Sequence, residues 1–234
     1  MKQMTRVLGL FLCIFTLLTV NALAADAKID TTHAADGYAR ATGKVGVVIA
    51  TSGPGATNLT TGIATAYLDS SPVVFITCNV GENLLGRDAF QEVDVVGVTQ
   101  PISKWSYQIR RPEDIAWAVS RAFYIAKSGR PGPVVVDITK DAQTGMLDFE
   151  YNPIKFIRSY MPDKDVDSNQ ILEAARLINL ARKPMALVGQ GVILGGAEKE
   201  LLEFLEKSGI PATSTLLGMS AIPSDHPQFV GMMG

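Results

Sequence analysis

A Gly-Pro-Gly turn between an apolar run and a helix-forming segment places the strongest constraint on how this chain can fold. The largely β-branched run 45–50 predicts a buried strand, and residues 56–68 predict a helix. Gly53 and Gly55 have no Cβ, so the backbone can approach other groups closely, while Pro54 fixes φ and removes one donor. The following helix directs free N–H groups towards the turn. The pattern predicts a strand–turn–helix unit whose turn either binds a ligand or has a purely structural role.

The rest of the chain repeats this alternation of strands and helices. Apolar runs predict further strands, and 3.6-residue periodicity predicts further helices. Such continuous apolar strands separated by helices indicate an α/β fold with a parallel sheet that helices cover on both faces. The predicted strands span 73–78, 102–109, 133–138, 184–188 and 210–213, and the predicted helices span 34–41, 112–127, 168–182 and 197–207.

A segment of mixed charge with two prolines and no clean period interrupts the alternation at 141–167. It predicts a linker between a first domain at 33–140 and an incomplete second domain at 168–234. Asp167 or Ser168 is suited to cap the first helix of the second domain. Residues 25–32 form a junction ahead of the first domain.

The N-terminus has the composition of an export leader. Lys2 and Arg6 precede an apolar stretch at 7–20, which ends near a small-x-small cleavage pattern at Ala24. The stretch is shorter than the ~20 residues that a membrane-spanning helix needs. We interpret residues 1–24 as a signal peptide cleaved after Ala24, and a buried N-terminal helix is the alternative.

Charge and cysteine content exclude several classes of function. The net charge is −2 and no basic stripe is present, which argues against a nucleic-acid partner. Removal of the leader leaves only Cys78, so the body of the chain forms no internal disulfide, and Cys78 is most simply a strand residue. The sequence contains no cluster of cysteines and histidines of the kind that would predict a zinc site.

Four segments together closely resemble the large subunit of acetolactate synthase, a thiamine-diphosphate enzyme that also carries FAD. They are His-Ala-Ala-Asp-Gly-Tyr-Ala-Arg-Ala-Thr-Gly at 33–43, Thr-Ser-Gly-Pro-Gly-Ala-Thr-Asn at 51–58, Gly-Arg-Asp-Ala-Phe-Gln-Glu at 86–92 and Arg-Pro-Gly-Pro-Val-Val-Val-Asp at 130–137. The resemblance covers about residues 33–234. It implies part of a pyrimidine-binding domain followed by part of a Rossmann-like domain of the FAD-binding type.

The resemblance implies contacts with the aminopyrimidine half of thiamine diphosphate. These would come from Gly53, Pro54, Gly55, Asn58 and Gln91. Phe90 and Gln91 match positions at the mouth of the family's active site, where they contact substrate. Their alternative role is to anchor a loop.

The resemblance also implies contacts with FAD. Arg130 matches a flavin-contacting arginine, and a guanidinium suits phosphate or flavin oxygens; its alternative role is that of a cation at a helix C-terminus. The remaining positions lie in two segments, one containing Gly189, Gln190 and Gly191 and the other containing Thr215 and Leu216.

The chain departs from the family pattern at the position whose side chain hydrogen-bonds the pyrimidine ring of the cofactor. In the family, a glutamate before the 33–43 segment hydrogen-bonds the pyrimidine N1′, and that position is Lys28 here. A charged lysine is a donor only, so the sequence predicts no catalytic residue. The family's Gly-Asp-Gly…Asn segment, which binds Mg²⁺ and the diphosphate, does not occur after Asp137, so we expect no Mg²⁺ site in this chain.

Three functional interpretations follow. The first is an acetolactate synthase-like protein of branched-chain amino acid biosynthesis, which condenses two 2-oxo acids with loss of CO₂ and is inactive alone. The second is a non-catalytic remnant, and the third is a secreted flavin- or nucleotide-binding module. The leader predicts export, whereas the family is cytoplasmic or organellar. Without the family's opening strand–helix unit, we expect an apolar flank or open sheet edge, with aggregation or dependence on an oligomeric partner.

Overall fold

The computed structural model describes residues 27–162 and 165–233, which belong to two compact units that divide between residues 164 and 165. The predicted signal peptide at 1–24 and the first two residues of the junction lie outside the described residues. In the part of the chain that is described, no helix combines the length and apolar character needed to cross a membrane.

The first unit contains a four-stranded parallel sheet with the strand order β1-β2-β4-β3. The predicted parallel sheet is therefore confirmed. In chain order the elements are α1 (Ala27–Thr42), β1 (Gly46–Ala50), α2 (Pro54–Thr57), α3 (Thr60–Leu68), β2 (Val73–Asn79), α4 (Val95–Thr99), β3 (Trp105–Ile109), α5 (Asp114–Lys127), β4 (Val134–Thr139) and α6 (Lys140–Thr144), with short 3₁₀ turns at Glu82–Leu84 and Gln100–Ile102.

The two central strands, β2 and β4, are buried on both faces. Alternate residues of a strand point to opposite faces. Val73 and Phe75 accordingly belong to one core cluster with Ile63 of α3, whereas Val74 and Val136 belong to a second cluster with residues of α5. Helices thus cover both faces of the central strands, as the continuous apolar runs predict.

The helix predicted at 56–68 forms as two pieces. Gly53 has a φ of 59° and precedes α2, whose first residue is Pro54, so the helix starts earlier than predicted. The Thr60 hydroxyl donates to the Thr57 carbonyl at 2.7 Å between α2 and α3. This local side-chain bond competes with the helical backbone pattern.

Part of the segment predicted as a linker packs against the first unit. Ile154 and Tyr160 contact the second core cluster, and Ile157 is buried within it. The Ile154 amide donates to the Ser120 hydroxyl at 2.7 Å. Residues 141–144 belong to α6, which the Thr139 side chain caps.

The second unit contains a three-stranded parallel sheet with the order β5-β6-β7. Leu205 and Ala212 are fully buried in its core together with Val188. The sequence pattern did not predict β7, which is short and contains Gly231. The elements are α7 (Ser168–Leu180), β5 (Ala186–Val188), α8 (Gly191–Leu194), α9 (Glu198–Ser208), β6 (Ala212–Ser214), a 3₁₀ turn at Leu216–Ala221 and β7 (Phe229–Met232).

Helix α7 forms where the sequence predicts it, but its apolar side chains are exposed. The Asp167 carboxylate accepts from the Asn169 amide at 2.9 Å, which confirms the predicted cap. Ile171, Leu172 and Leu177 are nevertheless more than half exposed, and Leu172 is 68% exposed. Among the described residues, an uncovered apolar face therefore lies on the second unit.

We expect this face to drive self-association of the chain. Leu172→Lys should weaken self-association about tenfold, because burying one leucine on association contributes about 1.5–3 kcal/mol. Sedimentation velocity over a concentration series measures the change. Gln170→Lys, on an exposed position of the same helix, adds the same charge without removing apolar surface and should leave self-association unchanged. Equal effects of the two variants would contradict the prediction.

Candidate functional site

The turn after β1 is closed by backbone hydrogen bonds. The Ala56 amide donates to the Gly53 carbonyl at 3.0 Å, and the Gly55 amide donates to the Ser52 carbonyl at 3.2 Å. Pro54 and Asn58 are exposed, whereas Gly53 and Gly55 are buried. The Asn58 amide donates to the Pro54 carbonyl at the end of α2. The turn thus exposes the rigid side chain of Pro54 and the polar side chain of Asn58, while its glycine backbone is buried.

Gln91 lies directly against this turn. A Cβ added at Gly53 would lie 2.7 Å from the Gln91 Cβ and 2.8 Å from its Cα. The Ser52 hydroxyl donates to Gln91 Oε1 at 3.4 Å, although the residues are 39 positions apart in the sequence. Gln91 also has a φ of 60°, an uncommon conformation for a residue with a side chain. The structure therefore brings Gln91 together with the predicted pyrimidine-contacting turn.

The Glu92 carboxylate closes the loop that carries Gln91. Glu92 Oε1 accepts from the Gly86 amide at 2.7 Å, and Oε2 accepts from the Arg87 amide at 3.3 Å. The bond from Gly86 is the main cause that lowers the pKa of Glu92 below the ordinary glutamate range. On this loop Phe90 is 87% exposed and turns outward, beside Gln91.

Arg130 lies at the other edge of the sheet. Its Nε donates to the Ser70 hydroxyl at 2.7 Å, and a terminal nitrogen donates to the Leu68 carbonyl at 3.1 Å. Ser70 and Arg130 precede β2 and β4, whereas the Gly53 turn follows β1, so parallel strands place them at opposite edges. Arg130 here satisfies the C-terminal carbonyl of α3, which corresponds to the alternative role considered for it.

The two predicted flavin segments lie side by side in the second unit. They follow the neighbouring parallel strands β5 and β6, and the Thr215 amide donates to the Val188 carbonyl at 2.9 Å. No described atom lies within 4 Å of where a Cβ would stand at Gly189 or Gly191, and Leu216 is exposed. Gln190 lies between the two glycines. The backbone of this turn is therefore open to a close-fitting group.

Lys28 lies in the first turn of α1, which begins before the predicted helix at 34–41. One turn later, Thr32 packs so tightly against α3 that a Cβ at Gly62 would lie 1.7 Å from the Thr32 Cγ2. The residue predicted to stand in place of the family's glutamate thus belongs to a helix that packs against α3 within the first unit.

Sequence reasoning missed a buried polar cluster at the carboxyl ends of three strands. Asp137 is 0% exposed and accepts from Thr77 Oγ1 at 2.7 Å, Asn79 Nδ2 at 2.8 Å and Gln108 Nε2 at 3.0 Å. The available signal was a polar residue near the end of each apolar run. Burial raises the pKa of the neighbouring Cys78 thiol, and the Asp137 charge adds to that effect. Cys78 is a free, half-buried strand residue.

Comparisons with known proteins identify the matching families. Residues 28–98 match the thiamine pyrophosphate enzyme, N-terminal TPP binding domain, and residues 171–234 match the thiamine pyrophosphate enzyme, central domain.

Relatives with curated names cover most of this chain. A probable acetolactate synthase large subunit of Methanocaldococcus jannaschii and an acetolactate synthase of Arthrospira platensis are each 50% identical over 205 residues, which is 86% of this chain and 35% of the relative. An acetolactate synthase large subunit of Haemophilus influenzae is 44% identical over 230 residues, which is 97% of this chain and 40% of the relative. The chain thus spans a little over a third of the length of these relatives.

Contact between the turn and Gln91 predicts an unequal response of two glycines to alanine. Gly43 and Gly53 both have positive φ, but an added Cβ meets no described atom within 4 Å at Gly43. Gly43→Ala should cost about 1 kcal/mol of unfolding free energy from its left-handed backbone. Gly53→Ala should cost about 2 kcal/mol more, because the Gln91 backbone must move. Urea denaturation measures both, and equal losses would contradict the contact.

The lowered pKa of Glu92 predicts how the loop responds to acid. Because the folded pKa lies below the unfolded one, the hydrogen bonds from Gly86 and Arg87 are fully present above the ordinary glutamate pKa and are lost as pH falls through the folded pKa. The NMR shift of the Gly86 amide should titrate below the ordinary glutamate range. Glu92→Gln should abolish this titration, and titration at the ordinary glutamate pKa would refute the closed loop.

Proposed function

Because this chain is an acetolactate synthase-like protein with matches to the N-terminal and central domains of thiamine pyrophosphate enzymes, we propose that its first unit binds the aminopyrimidine half of thiamine diphosphate. The observation that carries the proposal is the contact of Gln91 with the Gly53 turn. It joins two segments that the family resemblance assigns to one cofactor.

The residues at this turn fit the chemistry of a flat, polar ring. Ser52 supplies a hydroxyl and Gln91 an amide, each able to donate and accept. Gly53 and Gly55 leave the backbone free of side chains, and Pro54 and Asn58 flank the exposed side. Bound thiamine diphosphate would supply the electron sink that lets a 2-oxo acid lose CO₂. Phe90, beside Gln91, would face that 2-oxo acid.

Lys28 does not fit the role of its family equivalent. A protonated lysine donates hydrogen bonds and cannot accept one from the pyrimidine. We therefore infer that this chain binds the cofactor without turning over 2-oxo acids by itself. Condensation of two 2-oxo acids with loss of CO₂, in branched-chain amino acid biosynthesis, would require another group in the role of Lys28, such as one from an oligomeric partner. A non-catalytic remnant is the competing interpretation.

A second ligand, FAD, is proposed for the second unit. The support is the open backbone at Gly189 and Gly191 beside the half-buried Thr215 and the exposed Leu216. Gln190 would add a side-chain amide at the same turn. The FAD contact that the resemblance implies for Arg130, in the first unit, would require Arg130 to exchange its present bonds to Ser70 and the Leu68 carbonyl.

The N-terminal leader is a separate proposal. Its charge, apolar stretch and cleavage pattern support export of the chain with removal of residues 1–24. The intact mass of protein recovered from the cell envelope and from the cytoplasm would distinguish a mature chain beginning at Ala25 from an unprocessed one.

Calorimetric titration with thiamine diphosphate and Mg²⁺ tests the main proposal on the full chain. Gln91→Ala should weaken binding about tenfold, as expected when a hydrogen-bonding group is removed and its partner is left unsatisfied. Phe90→Ala should leave cofactor affinity unchanged, because Phe90 points away from the turn.

Two further readouts on the same protein separate the interpretations. Flavin absorbance should survive purification in the presence of FAD, and acetolactate should not form from pyruvate. Failure to bind thiamine diphosphate would overturn the cofactor proposal. Turnover by this chain alone would overturn the inference drawn from Lys28.

A further inference from the structure

A side chain in the buried polar cluster connects it to the loop that carries Gln91. Asn79 is 5% exposed at the end of β2. Its Nδ2 donates both to Asp137 Oδ2 at 2.8 Å and to the Val93 carbonyl at 3.0 Å. Its Oδ1 accepts from the Val80 amide at 2.9 Å. Both hydrogens of the amide are therefore used, and the orientation of the Asn79 side chain is fixed.

The Val93 carbonyl lies two residues beyond Gln91, at the base of the loop. The other closure of this loop, by Glu92 on the Gly86 and Arg87 amides, lies at the exposed surface. The bond from Asn79 is instead made next to a carboxylate that is 0% exposed. The charge-assisted bond to Asp137 fixes the Asn79 amide, and low local dielectric strengthens hydrogen bonds made in buried surroundings. Asn79 thus supplies the buried attachment of the loop.

The loop needs such an attachment because Gln91 holds a sparsely populated backbone conformation. Its φ of 60° persists only where neighbouring contacts determine it. Gly53, against which it packs, has a φ of 59° and allows no gap between the two backbones. A small displacement of Val93 would therefore move Gln91 away from Gly53.

We propose that Asn79 is a positioning residue for the cofactor site, which connects the Gln91 loop to Asp137 and keeps Gln91 against Gly53. The proposal rests on the proposed function for what Gln91 contacts, and on the structure alone for how Gln91 is held. Asp137 acts in it as the acceptor that orients the Asn79 amide, with Thr77 and Gln108 completing the shell around that carboxylate.

Hydrogen–deuterium exchange of the full chain tests the proposal without any ligand. In Asn79→Leu, amides of residues 85–94 should exchange about tenfold faster, because the Asp137 carboxylate and the Val93 carbonyl lose their donor. Exchange in β1 and in α5 should be unchanged. Asn79→Ala gives the same readout if the leucine variant does not fold. Unchanged exchange at 85–94, or equal acceleration throughout the first unit, would overturn the proposal.

Matched variants separate positioning from general stability. Val74→Ala removes buried apolar volume from β2 without changing a member of the buried polar cluster around Asp137. It should therefore lower global stability but should not selectively accelerate hydrogen exchange in the loop. Asp137→Asn should leave hydrogen exchange in the loop slow, because the new amide oxygen can accept from Asn79 while its NH₂ donates to the Thr77 hydroxyl. Asp137→Leu, whose side chain cannot accept a hydrogen bond, should accelerate exchange in the loop as Asn79→Leu does. Accelerated exchange in Asp137→Asn would count against the proposed geometry.

Thiamine diphosphate titration of the same variants distinguishes the two proposals. If the unmodified chain binds the cofactor and Asn79→Leu binds it about tenfold more weakly, both stand. If the unmodified chain does not bind, the proposed function fails while the exchange result still decides how the loop is held. If Asn79→Leu loosens the loop yet keeps full affinity, the positioning role is wrong and the cofactor proposal survives.

Discussion

Burial of β2 and β4 on both faces is the constraint on which the rest of the structure depends. Apolar side chains fill the space on either side of these strands, so polar groups are restricted to the strand ends. Because the strands are parallel, their carboxyl ends meet at one edge. The Gly53 turn, Asn79 and Asp137 all lie there, and the chemistry of the first unit is therefore concentrated at that edge.

The candidate site is built from close backbone approach more than from charge. Gly53 accepts the Gln91 backbone because it lacks a Cβ, and neutral hydroxyl and amide groups line the contact. The charged members of the neighbourhood, Glu92 and Asp137, accept hydrogen bonds from the protein and hold the loop in place. Such a surface suits recognition of a flat polar ring.

The second unit shows how helix formation and helix burial respond to different signals. The Asp167 cap and the periodic apolar positions of α7 favour a helix at the predicted place. Neither signal specifies what covers the apolar face, and in the described residues that face remains exposed. The same unit nevertheless has a buried core around Leu205, and its two adjacent turns support a ligand proposal of their own.

The sequence by itself determined the parallel α/β architecture, most strand positions, the cap of α7 and the glycine turn, because these depend on local periodicity and on the conformational limits of single residues. Only the tertiary structure decided that Gln91 lies against Gly53, that Asp137 collects three donors and that Arg130 satisfies the end of α3. Each of those contacts joins segments far apart in the chain, and hydrophobic patterning specifies burial without specifying partners. The split of the predicted helix into α2 and α3 has a local origin, since the bond from the Thr60 hydroxyl to the Thr57 carbonyl competes with the helical backbone pattern.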